Sequence, residues 1–439
     1  MPQDIEERRQ RLHDLVDLAR ATRGLTRAAL GKALHRDPTK VYPESGNPKT
    51  DFLVSLASIL EWPVGDVVEY IWDGTSGGGD RGITGGPATT RDDYEGKSFE
   101  DLFHLAREHH RDGAYREMVE TSLAMYEVAE TEDRRAFACA MEASAWDGLG
   151  RFTQEVDACR RGLARRGVSA YTRNILRADL ANAWYCLWDL TPALGTATVL
   201  IDHYAQNEPK RRLDYKRPAF CRYVRGHTRR RLASTEPDLA YDHYRAAADD
   251  LAAAKTLYTE LAHELDDPSL LGIAGTCEGG IEEALVELGE LDPKQAVANA
   301  ASLAARSGDL ERSDDDALTG DEIESLGWRC LFGANVALRH PSGRELQSAM
   351  TTLTGTALAA AERLDNWAMR ERVFTIKLNL HRTLAKTTGL ELPLTIDSRQ
   401  RALITQTMGR FPGFRTTGWD LLEHAEVVEH APTARGGAA

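Results

Sequence analysis

Residues 24–68 read GLTRAALGKALHRDPTKVYPESGNPKTDFLVSLASILEWPVGDVV, and the spacing of capping and apolar residues here decides how the N-terminal part folds. Upstream, Leu12, Leu15, Val16, Leu18 and Ala19 follow a helical period over residues 5–22. Gly24 can take the left-handed conformation that ends a helix. Thr26 then caps a second helix, Arg27–Leu34, with Ala29, Leu30, Ala33 and Leu34 expected to face inward. Asp37-Pro38 is a helix start, an acceptor followed by a residue that needs no amide hydrogen. That third helix is short, because Pro43 removes a donor and restricts Tyr42. Asp51 caps a fourth, Phe52–Leu60, with Phe52, Leu53, Leu56, Ala57 and Leu60 inside, and a fifth runs from Val64 to Trp72.

Beyond this five-helix module (1–73), residues 74–97 form a glycine-rich segment with almost no large apolar side chain, expected to be a flexible linker. Helical periodicity then continues almost to the end, and no alternating run argues for a sheet. The division is 98–306 as paired helices, a polar break at 307–320, further helices and a dimerisation region at 321–430, and a disordered tail at 431–439. The expected class is all-α, with an α-solenoid body.

The chain of 439 residues carries a formal net charge of -14. Residues 1–73 hold 10 Lys/Arg against 12 Asp/Glu, so any nucleic-acid contact must come from a local basic face. The six cysteines, Cys139, Cys159, Cys186, Cys221, Cys277 and Cys330, are widely spaced without a CxxC pair, which favours buried free thiols. With no apolar signal segment and no run near 18 apolar residues, a cytoplasmic protein without membrane partners is expected.

Residues 12–70 resemble the helix-turn-helix of the XRE, or Cro/C1 repressor, family. The resemblance is carried by Leu15, Leu18, Gly24-Leu25-Thr26, Ala29-Leu30, Ala33-Leu34, Gly46-Asn47-Pro48, Leu53, Leu56, Ala57, Leu60, Pro63-Val64 and Val67. It implies that the second and third helices dock on an operator in double-stranded DNA, commonly as a homodimer. Carried over, it places Thr26 at the start of the DNA-docking second helix, Arg27, Arg36 and Lys49 near the DNA backbone, and Pro38, Thr39, Lys40 and Tyr42 at the start of a recognition helix. Pro43 departs from the pattern, and Asp37–Gly46 is about one residue short of the family's spacing.

In the body, Asp133–Gly167 (DRRAFACAMEASAWDGLGRFTQEVDACRRGLARRG) resembles a tetratricopeptide repeat, with small residues for close helix approach and a Gly148/Gly150 turn. The resemblance implies a groove that receives a peptide or protein effector, and Arg173, Asn174, Arg177 and Asn182 share a helix on which they could grip one. The basic runs Lys210–Arg212 with Lys216 and Arg217, and Arg229–Arg231, read as solvated surface or as a second contact to nucleic acid or an acidic partner. His263-Glu264 lacks a second histidine at metal-ligand spacing, and neither a GxSxG elbow nor a Walker loop occurs. No catalytic residue, metal or cofactor is therefore assigned, and an enzyme is not expected. The expectation is a DNA-binding transcriptional regulator whose body dimerises and senses a ligand. The alternative is a helical-repeat interaction scaffold whose head contacts protein.

Overall fold

The computed structural model of the chain describes residues 2–23, 25–60, 62, 64–72, 94, 96–111, 114–306, 320–340, 343–388 and 394–428. Gly24, Pro63, most of the 74–97 segment, residues 307–319 of the polar break and the 431–439 tail lie outside the described residues. The described chain is helical almost throughout and divides into two units, one of residues 1–88 with 384–439, the other of residues 89–383.

In the first unit, α1 (Pro2–Thr22), α2 (Arg27–Ala33), α3 (Thr50–Leu60) and α4 (Val64–Trp72) surround a core of Leu12, Leu15, Val16, Leu30, Leu34, Phe52, Leu56, Leu60, Val67 and Ile71. Each such side chain contributes about 1.5–3 kcal/mol by leaving water. Thr26 caps α2 by accepting from the Ala29 amide. The inward face of α2 is narrower than the periodicity suggests, for Leu30 and Leu34 are buried while Ala29 and Ala33 are exposed. Gly31 sits on the buried side, where a Cβ would lie 2.9 Å from the Arg36 carbonyl oxygen.

The expected third helix is a 3₁₀ turn of three residues, Pro38–Lys40, so the module holds four α-helices and one turn instead of five helices. Asp37 caps it through the Thr39 amide at 2.8 Å, but the helix does not continue to Pro43, whose carbonyl meets His13 Nε2 at 2.8 Å. The start signals are present; no room exists between Pro38 and Pro43 for a second turn.

The same unit contains β1 (Leu394–Ile396), a helix Ser398–Arg410, a 3₁₀ turn Pro412–Phe414, a helix Arg415–His424 and β2 (Ala425–Val427). The strands pair in parallel, Leu394 opposite Ala425, a correction to the expectation of no sheet. The Ser398–Arg410 helix packs on α1 and α3. Trp62 closes the contact, its Nε1 donating to the Thr405 carbonyl at 2.9 Å. The sequence division placed 321–430 in one section; here residues beyond Thr383 join the N-terminal helices.

The second unit is a tandem array: α5 (Phe99–Arg111), α6 (Tyr115–Val128), α7 (Glu132–Gly148), α8 (Phe152–Leu163), α9 (Ala170–Cys186), α10 (Leu190–Gln206), α11 (Lys216–Thr235), α12 (Ala240–Leu265), α13 (Ser269–Glu287), α14 (Pro293–Arg306), α15 (Gly320–Arg339), α16 (Gly343–Arg363) and α17 (Trp367–Thr388), the last crossing into the first unit. Each helix from α5 to α13 packs on its successor, and α7, α9, α11 and α13 also pack in sequence, the pattern of a helical repeat. Helix α13 runs unbroken through Gly279-Gly280, which serve close packing and no turn: added Cβ atoms would meet Phe332 and His227 within 2.8 Å.

Candidate functional sites

Of the residues expected to face DNA, five are engaged within the module. Arg27 Nε donates to the Pro38 carbonyl at 2.8 Å, and its guanidinium lies 5.6 Å from the Tyr42 ring. Arg36 lies over Phe52 at 4.4 Å, Thr39 Oγ1 donates to Asp37 at 2.6 Å, and the Tyr42 hydroxyl donates to Asp17. Thr26 is spent as the α2 cap. Pro38, Lys40 and Lys49 are exposed, as is Lys32 on α2.

In the body, the basic runs are bound internally. Arg211 pairs with Asp214, Arg212 with Glu260 and Glu264, Lys216 with Asp267 and Arg217 with Asp179. Arg225 grips the buried Asp250 through two bonds of 2.6 and 2.7 Å, and Arg229 adds a third at 3.1 Å. Glu283, fully buried, is held by Arg230 at 2.6 Å and by Arg339. Burial would raise its carboxyl, but the two guanidinium groups outweigh that and keep it below the usual range. Arg231 lies between Tyr185 and Trp188, at 3.8 and 4.4 Å from their centroids, and donates to the Tyr185 carbonyl.

The four residues proposed to grip a ligand do not converge. Arg173 donates to the Val168 carbonyl, Asn174 is buried, Arg177 is exposed, and Asn182 donates to Asp147 at 3.1 Å. Only Asn182 leads to an unusual place. Asp147 ends α7, and just beyond it Gly150, at φ 61°, brings the α7–α8 turn against Trp367 at the start of α17; a Cβ there would lie 2.7 Å from Trp367 Cβ. The array thus touches itself between distant repeats. Arg372 on α17 reaches across to Trp188, 4.7 Å from its centroid, and His227 on α11 stacks on Phe332 of α15 at 5.5 Å.

Several acidic groups lie near this closure. Glu324 on α15 accepts at Oε1 from Asn366 at 3.1 Å and from Trp328 at 3.3 Å. Asn366 also caps α17 through the Met369 amide. Asp147 and Glu324 are accessible residues, yet both are desolvated by the surrounding protein. Desolvation first, then the charges of Glu324 and Asp179, push Asp147 up to about 7, against the pull of the Asn182 bond. Burial likewise pushes Asp179 up to about 6, with Arg217 opposing. Glu155, 1% exposed, lies behind them with Oε2 unpartnered, and burial followed by the charges of Asp147 and Asp179 raises it well above the usual range.

A cavity of about 670 Å³ lies at α5, α6 and α7, lined by Phe103, His104, Arg107, Met118, Met141 and Ser144 among others. Ser144 and Asp147 are one turn apart on α7. Tyr115 links the two, its ring edge-on to His110 of the cavity at 5.8 Å and pressed on Gly148, where a Cβ would sit 2.6 Å from it. These inward residues come from α5, α6, α7, α9, α15 and the start of α17, so no single stretch of sequence marks them.

Among the described residues no group of three or more His, Cys, Asp or Glu is placed to hold a metal ion. No described helix is long and apolar enough to cross a membrane, and the six cysteines are free thiols. Comparison of the chain with protein-family models, curated proteins and solved structures found no match to any of them.

Proposed function

We propose that the protein is a helical-repeat interaction scaffold, in which the second unit receives a segment of a partner protein at the cavity bordered by α5, α6 and α7 and the first unit also contacts protein. The observation that carries this is the tandem array itself, which holds that cavity of about 670 Å³ lined by apolar and charged side chains together. Paired-helix arrays expose such continuous inner surfaces, and extended segments fill them. For the first unit, a three-residue turn supports this reading over groove recognition, because Arg27, Arg36, Thr39 and Tyr42 are turned to the module's own atoms. The test is selection of a displayed random-peptide library on the immobilised full chain. Enrichment on the wild type that disappears on Ser144→Trp, which fills the cavity, is expected; no enrichment on the wild type sinks the scaffold reading.

A second reading is sequence-specific DNA binding by the first unit, as a homodimeric regulator with a peptide or protein effector in the body. It draws on the repressor-like spacing and on Lys32, Lys40 and Lys49, exposed around the turn with no carboxylate paired to them among the described residues. Each phosphate these lysines neutralise would steepen the fall of affinity with salt. A mobility-shift titration at low salt should then show a sequence preference that Lys32→Ala with Lys40→Ala removes. Binding with no preference, unchanged in that variant, would leave the scaffold reading alone.

A further inference from the structure

The cavity at α5, α6 and α7 has an apolar part and a charged part. Met118, which is 1% exposed, and the half-buried Phe103 and Met141 supply the apolar part. The charged part comes from α5 alone. Phe103, Arg107 and His110 recur at helical spacing and share a face, with His104 and Glu108 beside them, one turn apart.

The charge on this face is not settled within the chain. Arg107 lies 5.8 Å from the Phe103 centroid, and among the described residues no carboxylate stands within ion-pair distance of it. The acids at the start of α5 are engaged, Glu100 with Arg134 and Asp101 with the Ser98 hydroxyl at 2.7 Å. Glu108, the acid among the described lining residues, forms no ion pair with Arg107. His110 is set edge-on to Tyr115, and desolvation lowers its imidazole below the ordinary value, so it stands neutral and offers one N–H. A guanidinium and an imidazole N–H, three residues apart on one face, thus have no acceptor among the described residues.

We propose that the cavity receives an acidic segment of a partner protein. An aliphatic or aromatic side chain sits on Phe103, Met118 and Met141, and the carboxylate of an Asp or Glu two residues along meets Arg107 and His110. Residues two apart in an extended segment share a face, which sets that spacing. Charge complementarity selects this occupant. A basic segment would set its cation against Arg107, and a wholly apolar one would cover the guanidinium and the imidazole N–H without acceptors. Glu108 directs the incoming carboxylate to the Arg107 side by repulsion. The guanidinium fork matches a carboxylate, as Arg225 shows on Asp250, and the flexible thioethers of Met118 and Met141 adapt to more than one apolar shape. This rests on the scaffold reading and deepens it by naming the chemistry of the partner.

The test uses the full chain in two assays. In the library selection, enriched peptides should carry Asp or Glu two residues from Leu, Met or Phe. Fluorescence anisotropy with a labelled Phe-Ser-Glu-containing peptide should then show binding weakened by at least about tenfold in Arg107→Gln. The same peptide with glutamine in place of glutamate should bind the wild type as weakly and lose nothing further in Arg107→Gln, which assigns the loss to that pair. Arg107 is exposed and holds no ion pair among the described residues, so the variant keeps the fold, as a circular-dichroism melt will check. Arg160→Gln, which removes an exposed charge on α8, should bind Phe-Ser-Glu as the wild type does. No binding of Phe-Ser-Glu, equal binding of the glutamine peptide, or the same loss in Arg160→Gln as in Arg107→Gln would overturn the inference. Enriched peptides without acidic excess would also overturn it and leave the scaffold reading standing. An empty selection would remove both.

Discussion

At the scale of single residues, Trp188 shows how the array spends conformational energy to build its interior. It follows α9 with φ 66°, where glycine is the usual occupant, and the Asp189 amide closes the turn on the Trp184 carbonyl at 2.8 Å. A side chain in this region costs about 1–2 kcal/mol. The ring offsets that by receiving Arg231 on α11 and Arg372 on α17. Trp188→Gly and Trp188→Ala both lose these contacts, but only alanine keeps the left-handed cost. Urea melts should therefore place the glycine variant about 1 kcal/mol above the alanine variant. Wild type should stand above both by at least about 1 kcal/mol, from two guanidinium–ring contacts and the ring's burial. An alanine variant as stable as the glycine variant would mean that the turn does not hold residue 188 at positive φ.

At the scale of elements, the informative comparison is between the N-terminal helices and what packs on them. Gly409 of the Ser398–Arg410 helix lies against Trp62, so that a Cβ would sit 2.4 Å from Trp62 Cδ1. A valine there must push the indole from the Thr405 carbonyl, at a cost of about 1–3 kcal/mol for overpacking plus about 1 kcal/mol for the hydrogen bond. Gly409→Val should lower the unfolding midpoint and red-shift Trp62 emission, whereas Gly413→Ala, with nothing near its Cβ, should do neither. Loss of stability in both variants equally would point to helix propensity instead of the Trp62 contact. Reading the sequence found α1, α2, α3 and α4 within three residues at each end, because their caps and apolar spacing are local. It found the Asp37-Pro38 start as well, but a cap does not report how far a helix runs, and the element stopped after three residues. The partner of Trp62 was invisible, since one tryptophan beside a proline carries no sign of a helix more than three hundred residues away. Strands of three residues, β1 and β2, are too short to alternate. The pairs Asn182–Asp147 and Asn366–Glu324 were illegible for the same reason: Asn182 was singled out, but its partner is fixed only once the array packs.

At the scale of the whole molecule, the unpaired acids make a prediction about pH whose sign differs from that of the paired ones. In the unfolded chain Asp147 titrates at its ordinary value of 3.8, and in the folded chain at about 7. Between those values the native state holds a proton that the unfolded state has released, so stability is greatest at the acid end and falls as pH rises towards and through 7. Asp179, at about 6, acts in the same direction over a narrower window, and Glu155 also does. Glu283 and Asp267, held below their ordinary values by Arg230, Arg339 and Lys216, act oppositely and lose stability only in acid. The net slope of wild-type stability mixes these groups, but the difference between wild type and Asp147→Asn isolates one. At pH 5 the two should melt together, because Asp147 is already neutral in the fold and the amide replaces it without loss. By pH 8 the variant should melt higher, since wild type alone must hold a charge beside Glu324 and Asp179. Calorimetric scans across this range measure the effect, and a variant that melts lower than wild type at pH 8 would show that Asp147 is already neutralised within the chain.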